Sequence, residues 1–221
     1  MEQYDVAIIG GGSAGLSALK KLSDLNKKTI LIEAGNRVGT KNVSGGILYS
    51  KRDPRGRIYN VEDVFGSDFE STAPIERLIK KYLLHATSKN KIFTMDLTSL
   101  HEYKTNFAYS VLLNRLNPWL AERASESAEK QGGGIITGVH VSDIDWVENK
   151  TIVRTNELQE FQVKSIIAAD GVNSEVAELT AARDKFKPEE VYFGVKVIIK
   201  LPVNIIEERF QLGSSEGSAH L

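Results

Sequence analysis

The 221-residue sequence contains no cysteine, and that absence removes whole classes of chemistry. Without thiols this chain has no disulfide, no thiolate nucleophile, no redox-active cysteine pair and no iron–sulfur cluster of its own. Histidine is scarce as well. His85, His101, His140 and His220 are scattered, with no H-x-x-x-H or carboxylate spacing, so no zinc or other metal site is expected. A formal net charge of -1 lacks the basic excess of a nucleic-acid binder. No apolar run approaches the roughly 18 residues that cross a bilayer. The opening Met1-Glu2-Gln3-Tyr4-Asp5 lacks the basic and then apolar regions of a secretory leader. The expectation is a cytoplasmic location, with peripheral attachment to the inner face of a membrane left open. What remains, 41% hydrophobic and 26% charged residues, is an ordinary folded composition. Redox chemistry here would have to come from a bound organic cofactor.

Tyr4 to Gly10, YDVAIIG, is a short apolar run of β-formers that stops at glycine, the pattern of a buried parallel strand. Gly10-Gly11-Gly12-Ser13-Ala14-Gly15 follows, then a helical segment with Leu16, Leu19, Leu22 and Leu25 about three apart. Lys28 to Glu33, KTILIE, reads as a second strand ending on an acid, which completes a βαβ unit. From 47 to 112 the character changes: KIFTMDL and NFAYSVL are candidate strands, and no βαβ repeat is visible. This reads as an inserted antiparallel region. Asn117-Pro118 predicts a helix start, since asparagine caps and proline suits the first helical position. Leu120, Ala124 and Ala128 give that helix one face until Gly132-Gly133-Gly134 ends it. GIITGV, VSDIDWV, TIVRTN, FQVKSIIAAD and VYFGVKVIIKL are predicted strands, with a helix at about 173–183 after ADGVNS.

Three motifs could carry chemistry. The first is G-x-G-x-x-G at Gly10, Gly12 and Gly15: a tight turn, a place for backbone to approach pyrophosphate, and close helix–strand packing. Phosphates would meet free N–H groups at the positive end of the helix. Glu33, 18 residues after Gly15, is placed to accept hydrogen bonds from ribose hydroxyls. Its charge disfavours a 2′-phosphate, so NAD or FAD is expected over NADP. The second is Ala168-Ala169-Asp170-Gly171 at a strand end, either a turn that caps the next helix or a ligand contact at a strand carboxyl end. The third is Arg115, either a solvated residue or a pyrophosphate ligand; Trp119 is expected as a core anchor. The stretch Thr40-Lys41-Asn42-Val43-Ser44-Gly45-Gly46 reads either as a polar turn or as a loop that bares backbone against something flat, with Lys41 supplying positive charge.

DVAIIGGGSAGLSALKKL, LIEAGNRVGTKNVSGGILYS, VLLNRLNPWLAERA, AADGVNSEVAELTAAR and YFGVKVIIKLP, in that order, resemble the FixC-type branch of the electron-transfer flavoprotein:quinone oxidoreductase family. More distantly they are similar to geranylgeranyl reductases and FAD-dependent monooxygenases. The KNVSGG loop is the discriminating piece and argues against the geranylgeranyl reductases, which usually carry a cysteine-containing loop there. The resemblance implies FAD, with Gly10, Gly12, Ser13, Ala14 and Gly15 at the pyrophosphate and Glu33 on the adenosine ribose. It implies Lys41, Asn42, Ser44, Gly45 and Gly46 near the isoalloxazine, Arg115 near the phosphates and Val141 near adenine. Asp170 and Gly171 would be a further dinucleotide contact. It also implies electron flow from an electron-transfer flavoprotein through flavin towards quinone or a separate ferredoxin-like protein. No catalytic acid or base is nominated, because such chemistry belongs to the cofactor.

The implied fold is α/β: a Rossmann-like FAD-binding domain of glutathione-reductase-like topology, interrupted by an antiparallel substrate region. Its expected segments are 1–46 for the βαβ unit and flavin loop, 47–112 for the insertion, 113–183 for the nucleotide domain continued, and 184–221 for the start of a second substrate segment. Against such proteins the sequence reads as about half a member, with the carboxyl-terminal half missing. Weak cofactor retention is therefore expected, and the rival reading is a non-catalytic nucleotide-binding remnant.

Overall fold

The computed structural model describes residues 1–39, 41, 45–49, 51–52, 58–59, 61–100, 108–148 and 150–221. The chain forms two compact units, Met1–Val43 with Leu113–Val195, and Ser44–Leu112 with Lys196–Leu221. The fold is mixed α/β.

The first unit is built on a six-stranded sheet in the order β10-β11-β12-β1-β2-β9. Strand β1 (Glu2–Ile9) lies between β2 (Thr29–Glu33) and β12 (Glu160–Ala168), parallel to both. Strand β9 (Gly134–Thr137) extends the parallel set beyond β2. On the other side β10 (Val141–Val147) and β11 (Lys150–Thr155) run antiparallel onto β12. The inner strands are short runs of β-branched and aliphatic residues because both faces are covered. On one face Ala7, Ile9, Ile30 and Ile32 pack with Val141, Ile144, Val153 and Phe161 in a continuous core. Alternation sends Ile8 and Leu31 to the opposite face, which helix α1 (Ser13–Asp24) covers with buried Leu16 and Leu19. Each such buried aliphatic side chain contributes about 1.5–3 kcal/mol.

The long helix α4 (Leu113–Glu129) packs on α1 and β9 and buries Leu120, Ala124 and Ala128, the face the sequence predicts. Its start differs from expectation. Four residues of helix precede Asn117, and Pro118 lies inside. Proline at the sixth position costs only the partner of the Asn114 carbonyl, while burial of Leu116 and Asn117 holds the added turn. Trp119 is half-buried with the Arg123 guanidinium 4.4 Å from its ring centre, so it anchors only part of the helix face. Short α5 (Glu175–Leu179) stands where the sequence places a longer helix.

The second unit holds a five-stranded sheet. β6 (Ile75–Thr87) is its spine, antiparallel to β7 (Ile92–Asp96) and β8 (Ala108–Leu112) and parallel to β13 (Glu216–His220). β3 (Gly45–Tyr49) pairs antiparallel with β8. A two-stranded pair, β4 (Lys51–Arg52) with β5 (Ile58–Tyr59), and two one-turn helices, α2 (Glu62–Phe65) and α3 (Phe69–Thr72), lie between. α6 (Val203–Phe210) precedes β13.

VYFGVKVIIKL, a predicted strand, is not one. Residues 191–201 have no ladder partner among the described residues, and Tyr192 and Phe193 are each 94% exposed. β-propensity alone does not make a strand; a neighbouring backbone must complete its hydrogen bonds. Val197→Lys with Ile199→Lys is expected to change unfolding free energy by less than about 0.5 kcal/mol while reducing self-association measured by light scattering. A loss of about 2 kcal/mol or more would show that these side chains are covered in solution.

His85 and His220 are joined across β6 and β13. His85 Nε2 and His220 Nδ1 are 2.8 Å apart, the ring planes lie within 9°, and the centroids are 5.1 Å apart. That separation describes two rings end to end in one plane, sharing a single N–H···N hydrogen bond. Thr94 Oγ1 at 2.9 Å from His85 Nδ1 and Ser218 Oγ at 2.8 Å from His220 Nε2 extend the chain of bonds outward. The bridge has room for one proton. Burial, then the charge of His85, lowers the pKa of His220 below its ordinary 6.5. The folded state thus binds fewer protons than the unfolded state in this range, so the contribution to stability is complete above pH 6.5 and is lost as pH falls below it. The melting temperature of the wild-type chain should drop between about pH 7.5 and pH 5.5, and His220→Gln should flatten that drop. An equal drop in both would exclude the pair as its cause.

Candidate nucleotide site

Parallel pairing fixes where the chemistry-bearing residues meet. Ile9 is in register with both Ile32 and Ala168, and Glu33 with Thr137, so four strands end along one edge. The ladder runs one residue further: Gly10 N–H donates to Ile32 O and Ala169 N–H to Ile9 O, each at 2.8 Å. The loops after β1, β2, β9 and β12 therefore enclose a common cleft of about 240 Å³, lined by Gly10, Gly11, Gly12, Glu33, Lys41, Val139, His140, Val141, Asp170 and Gly171 among others. Ligands of open α/β sheets sit at such carboxyl ends.

Two glycines are required by close approach. Gly10 has φ +108°, and a Cβ there would lie 2.3 Å from Ala169 O. A Cβ on Gly15 would lie 2.0 Å from Gly10 O, so only glycine lets α1 seat against β1. Gly12 differs: a Cβ there would meet nothing within 4 Å, so the open space beside it faces no protein atom. Ser13, Ala14 and Gly15 form the first turn of α1, which has no side-chain cap and no acidic residue. Its N–H groups keep their positive end for an anion.

Glu33 uses both carboxylate oxygens. Oε2 accepts from Gly11 N–H at 2.7 Å, and Oε1 from Gly35 N–H at 2.6 Å. Lys41 Nζ stands 3.8 Å from Oε1 with a largely exposed side chain, a geometry worth little to stability. Asp170 Oδ2 accepts from Val176 N–H at 2.8 Å and so caps α5, while Asp170 and Gly171 also line the cleft. Val141 opens β10 as a buried wall of the cleft. Arg115 is exposed on the first turn of α4 and is outside the lining.

Asn42 and Ser44 lie outside the described residues, as do Thr40, Val43 and His101. Gly45 and Gly46 open β3 in the second unit. Gly45 is small for a protein reason, since its Cβ would lie 2.9 Å from Val111 O, whereas one on Gly46 would meet nothing.

Several lining residues escaped the sequence reading. Val139 N–H donates to Glu33 O at 3.1 Å and Gly138 N–H to Gly35 O at 2.8 Å, which brings the turn after β9 beside the acid. His140 follows, its Nε2 3.2 Å from Glu175 Oε2. Gly138, just before Val139 in GIITGV, was the only local signal for this wall.

No protein-family profile matches the sequence. Individual proteins do. FixC of Escherichia coli K12 is 35% identical over 219 residues, 99% of this chain and 48% of that protein. "Probable electron transfer flavoprotein-quinone oxidoreductase YdiS" of the same organism is 29% identical over all of this chain and 48% of its own length. Among solved structures, p-nitrophenol 4-monooxygenase PnpA of Pseudomonas putida DLL-E4 superposes with TM-score 0.61 at 17% identity, over 81% of this chain and 44% of that one. A geranylgeranyl bacteriochlorophyll reductase-like protein of Thermoplasma acidophilum gives 0.53 at 21% identity, over 81% and 42%. At such identities these two likenesses concern the fold. The resemblance carried by the glycine turn, the KNVSGG stretch and the AADG turn stands: this chain is related to the FixC proteins through 99% of its residues and spans about half of their length.

Proposed function

We propose that the first unit holds the adenosine diphosphate portion of FAD, and that the chain serves a flavin oxidoreductase. In this reading electrons pass from an electron-transfer flavoprotein through flavin towards quinone or a ferredoxin-like partner. One observation carries the nucleotide part: the uncapped start of α1, the Glu33 carboxylate and the Asp170-Gly171 turn face one cleft. The residues fit the group. Each Glu33 oxygen accepts one backbone N–H and retains acceptor capacity for a ribose hydroxyl. The free space at Gly12 leaves the helix start open to phosphate. The fixed negative charge of Glu33 repels a 2′-phosphate. Val139 and Val141 offer apolar surface to a base. The cleft, at about 240 Å³, is smaller than the roughly 300–1,000 Å³ of drug-sized ligand sites, which suits the adenosine diphosphate portion and not the whole of FAD. Flavin, when bound, supplies the electron-transfer chemistry. The name of YdiS, an electron transfer flavoprotein-quinone oxidoreductase, supports the donor and acceptor classes.

A second reading is nucleotide binding without catalysis, since the residues that line the cleft are those of the nucleotide part alone. The discriminating measurement is the visible spectrum of the purified chain after incubation with FAD and desalting. Retained flavin, reducible by an electron-transfer flavoprotein, would bear out the proposed function, even at the weak retention expected from the sequence. A colourless protein that still binds ADP would favour the second reading, and a chain that binds neither would overturn both.

A further inference from the structure

Asn117 has no exposed surface, an unusual place for an amide inside a helix. Asparagine is a weak helix former whose side chain competes with backbone, and it persists in an interior where its hydrogen bonds are met. Its Oδ1 accepts from Ser13 Oγ at 2.7 Å, across 104 residues of sequence. Ser13 is the first residue of α1, directly after Gly12. On its other side, a Cβ built on Gly39 would lie 3.3 Å from Asn117 Cβ and 3.0 Å from Pro118 Cδ, and Gly39 itself has φ +83°. Gly12 and Gly39 both line the cleft, and Asn117 does not. One buried residue therefore backs two loops, the first through its amide and the second through its Cβ with Pro118 beside it.

We propose that Asn117 is a positioning residue for the phosphate-binding turn. Through Ser13 it fixes the first turn of α1, and through Gly39 it fixes the turn after β2. The helix-start N–H groups are thereby held in place before an anion arrives, which spares the ordering that binding would otherwise require. A neutral acceptor suits this position. An aspartate would receive the same hydroxyl, yet it would place a buried negative charge behind a site for phosphate. The inference rests on the nucleotide reading above and adds to it a residue that touches no ligand.

The test compares ADP with adenosine by titration calorimetry on the full chain, using Asn117→Leu, Ser13→Ala and the double variant. ADP carries the pyrophosphate and adenosine does not. The expected result is a loss of about tenfold or more in ADP affinity for each single variant, with adenosine affinity within about twofold of wild type. The double variant should be no weaker than the worse single one, because both remove one bond. Ser13→Ala, a one-atom deletion at a half-buried site, keeps the test decisive if Asn117→Leu does not fold. Equal losses for both ligands, or none for either, would overturn the positioning role. Wild-type protein that fails to bind ADP would instead remove the nucleotide reading, and this inference with it.

Discussion

Gly15→Ala is expected to lower the unfolding free energy by about 3 kcal/mol or to prevent folding. The new methyl would stand 2.0 Å from Gly10 O and 3.3 Å from Ile8 Cγ2. Neither neighbour can yield: Gly10 N–H is bonded to Ile32 O at 2.8 Å, Gly10 is itself packed against Ala169, and Ile8 is wholly buried. The substitution must therefore lift α1 from the sheet and open the face that Leu16 and Leu19 cover. Urea unfolding should show a lower midpoint with an unchanged slope. Gly46→Ala is the control, since its methyl meets nothing within 4 Å; its midpoint should stay within the error of measurement. Equal stability of the two variants would show that α1 does not seat on β1 as described.

Glu33→Ala is expected to act twice. It deprives the N–H groups of Gly11 and Gly35 of an acceptor at 2.7 and 2.6 Å, in the partly buried turns on both sides of the cleft. A stability loss of about 1–3 kcal/mol should follow, because unsatisfied donors carry their full desolvation cost. Under the proposed function it also removes the ribose acceptor, which should weaken ADP about 10- to 100-fold, the range for hydrogen bonds to a charged group. The two effects separate by ligand choice. With 2′,3′-dideoxy-ADP, which lacks the ribose hydroxyls, wild type and variant should bind alike. Unchanged ADP affinity in Glu33→Ala would end the ribose role while leaving the structural one.

The βαβ opening was legible because its signals are local. The apolar run before Gly10, the leucines of α1 and the acid ending TILIE each report burial on a known period. The site followed from the same grammar: Gly10, Gly12 and Glu33 are set by the turn and by strand length, so their meeting at one cleft needs only parallel pairing. The buried face of α4 was equally plain in Leu120, Ala124 and Ala128.

Other features depend on partners far away in sequence, and no local pattern could supply them. The start of α4 moved four residues upstream of Asn117 because contacts to the body of the first unit outweigh a proline penalty paid by one carbonyl. Asn117 looked like a helix cap from its neighbours, yet its oxygen is taken by Ser13 on another helix. The wall at Val139 and His140 exists because β9 pairs with β2. Residues 191–201 are rich in residues a strand prefers and still pair with no strand among the described residues, since pairing is a property of two backbones. Sequence alone determined the periodic elements and the residues of the glycine turn, where the forces act between neighbours in the chain. Tertiary structure decided which polar groups were buried, where α4 began and which strand-like segment found no partner among the described residues, because each of those rests on an atom contributed by a distant segment.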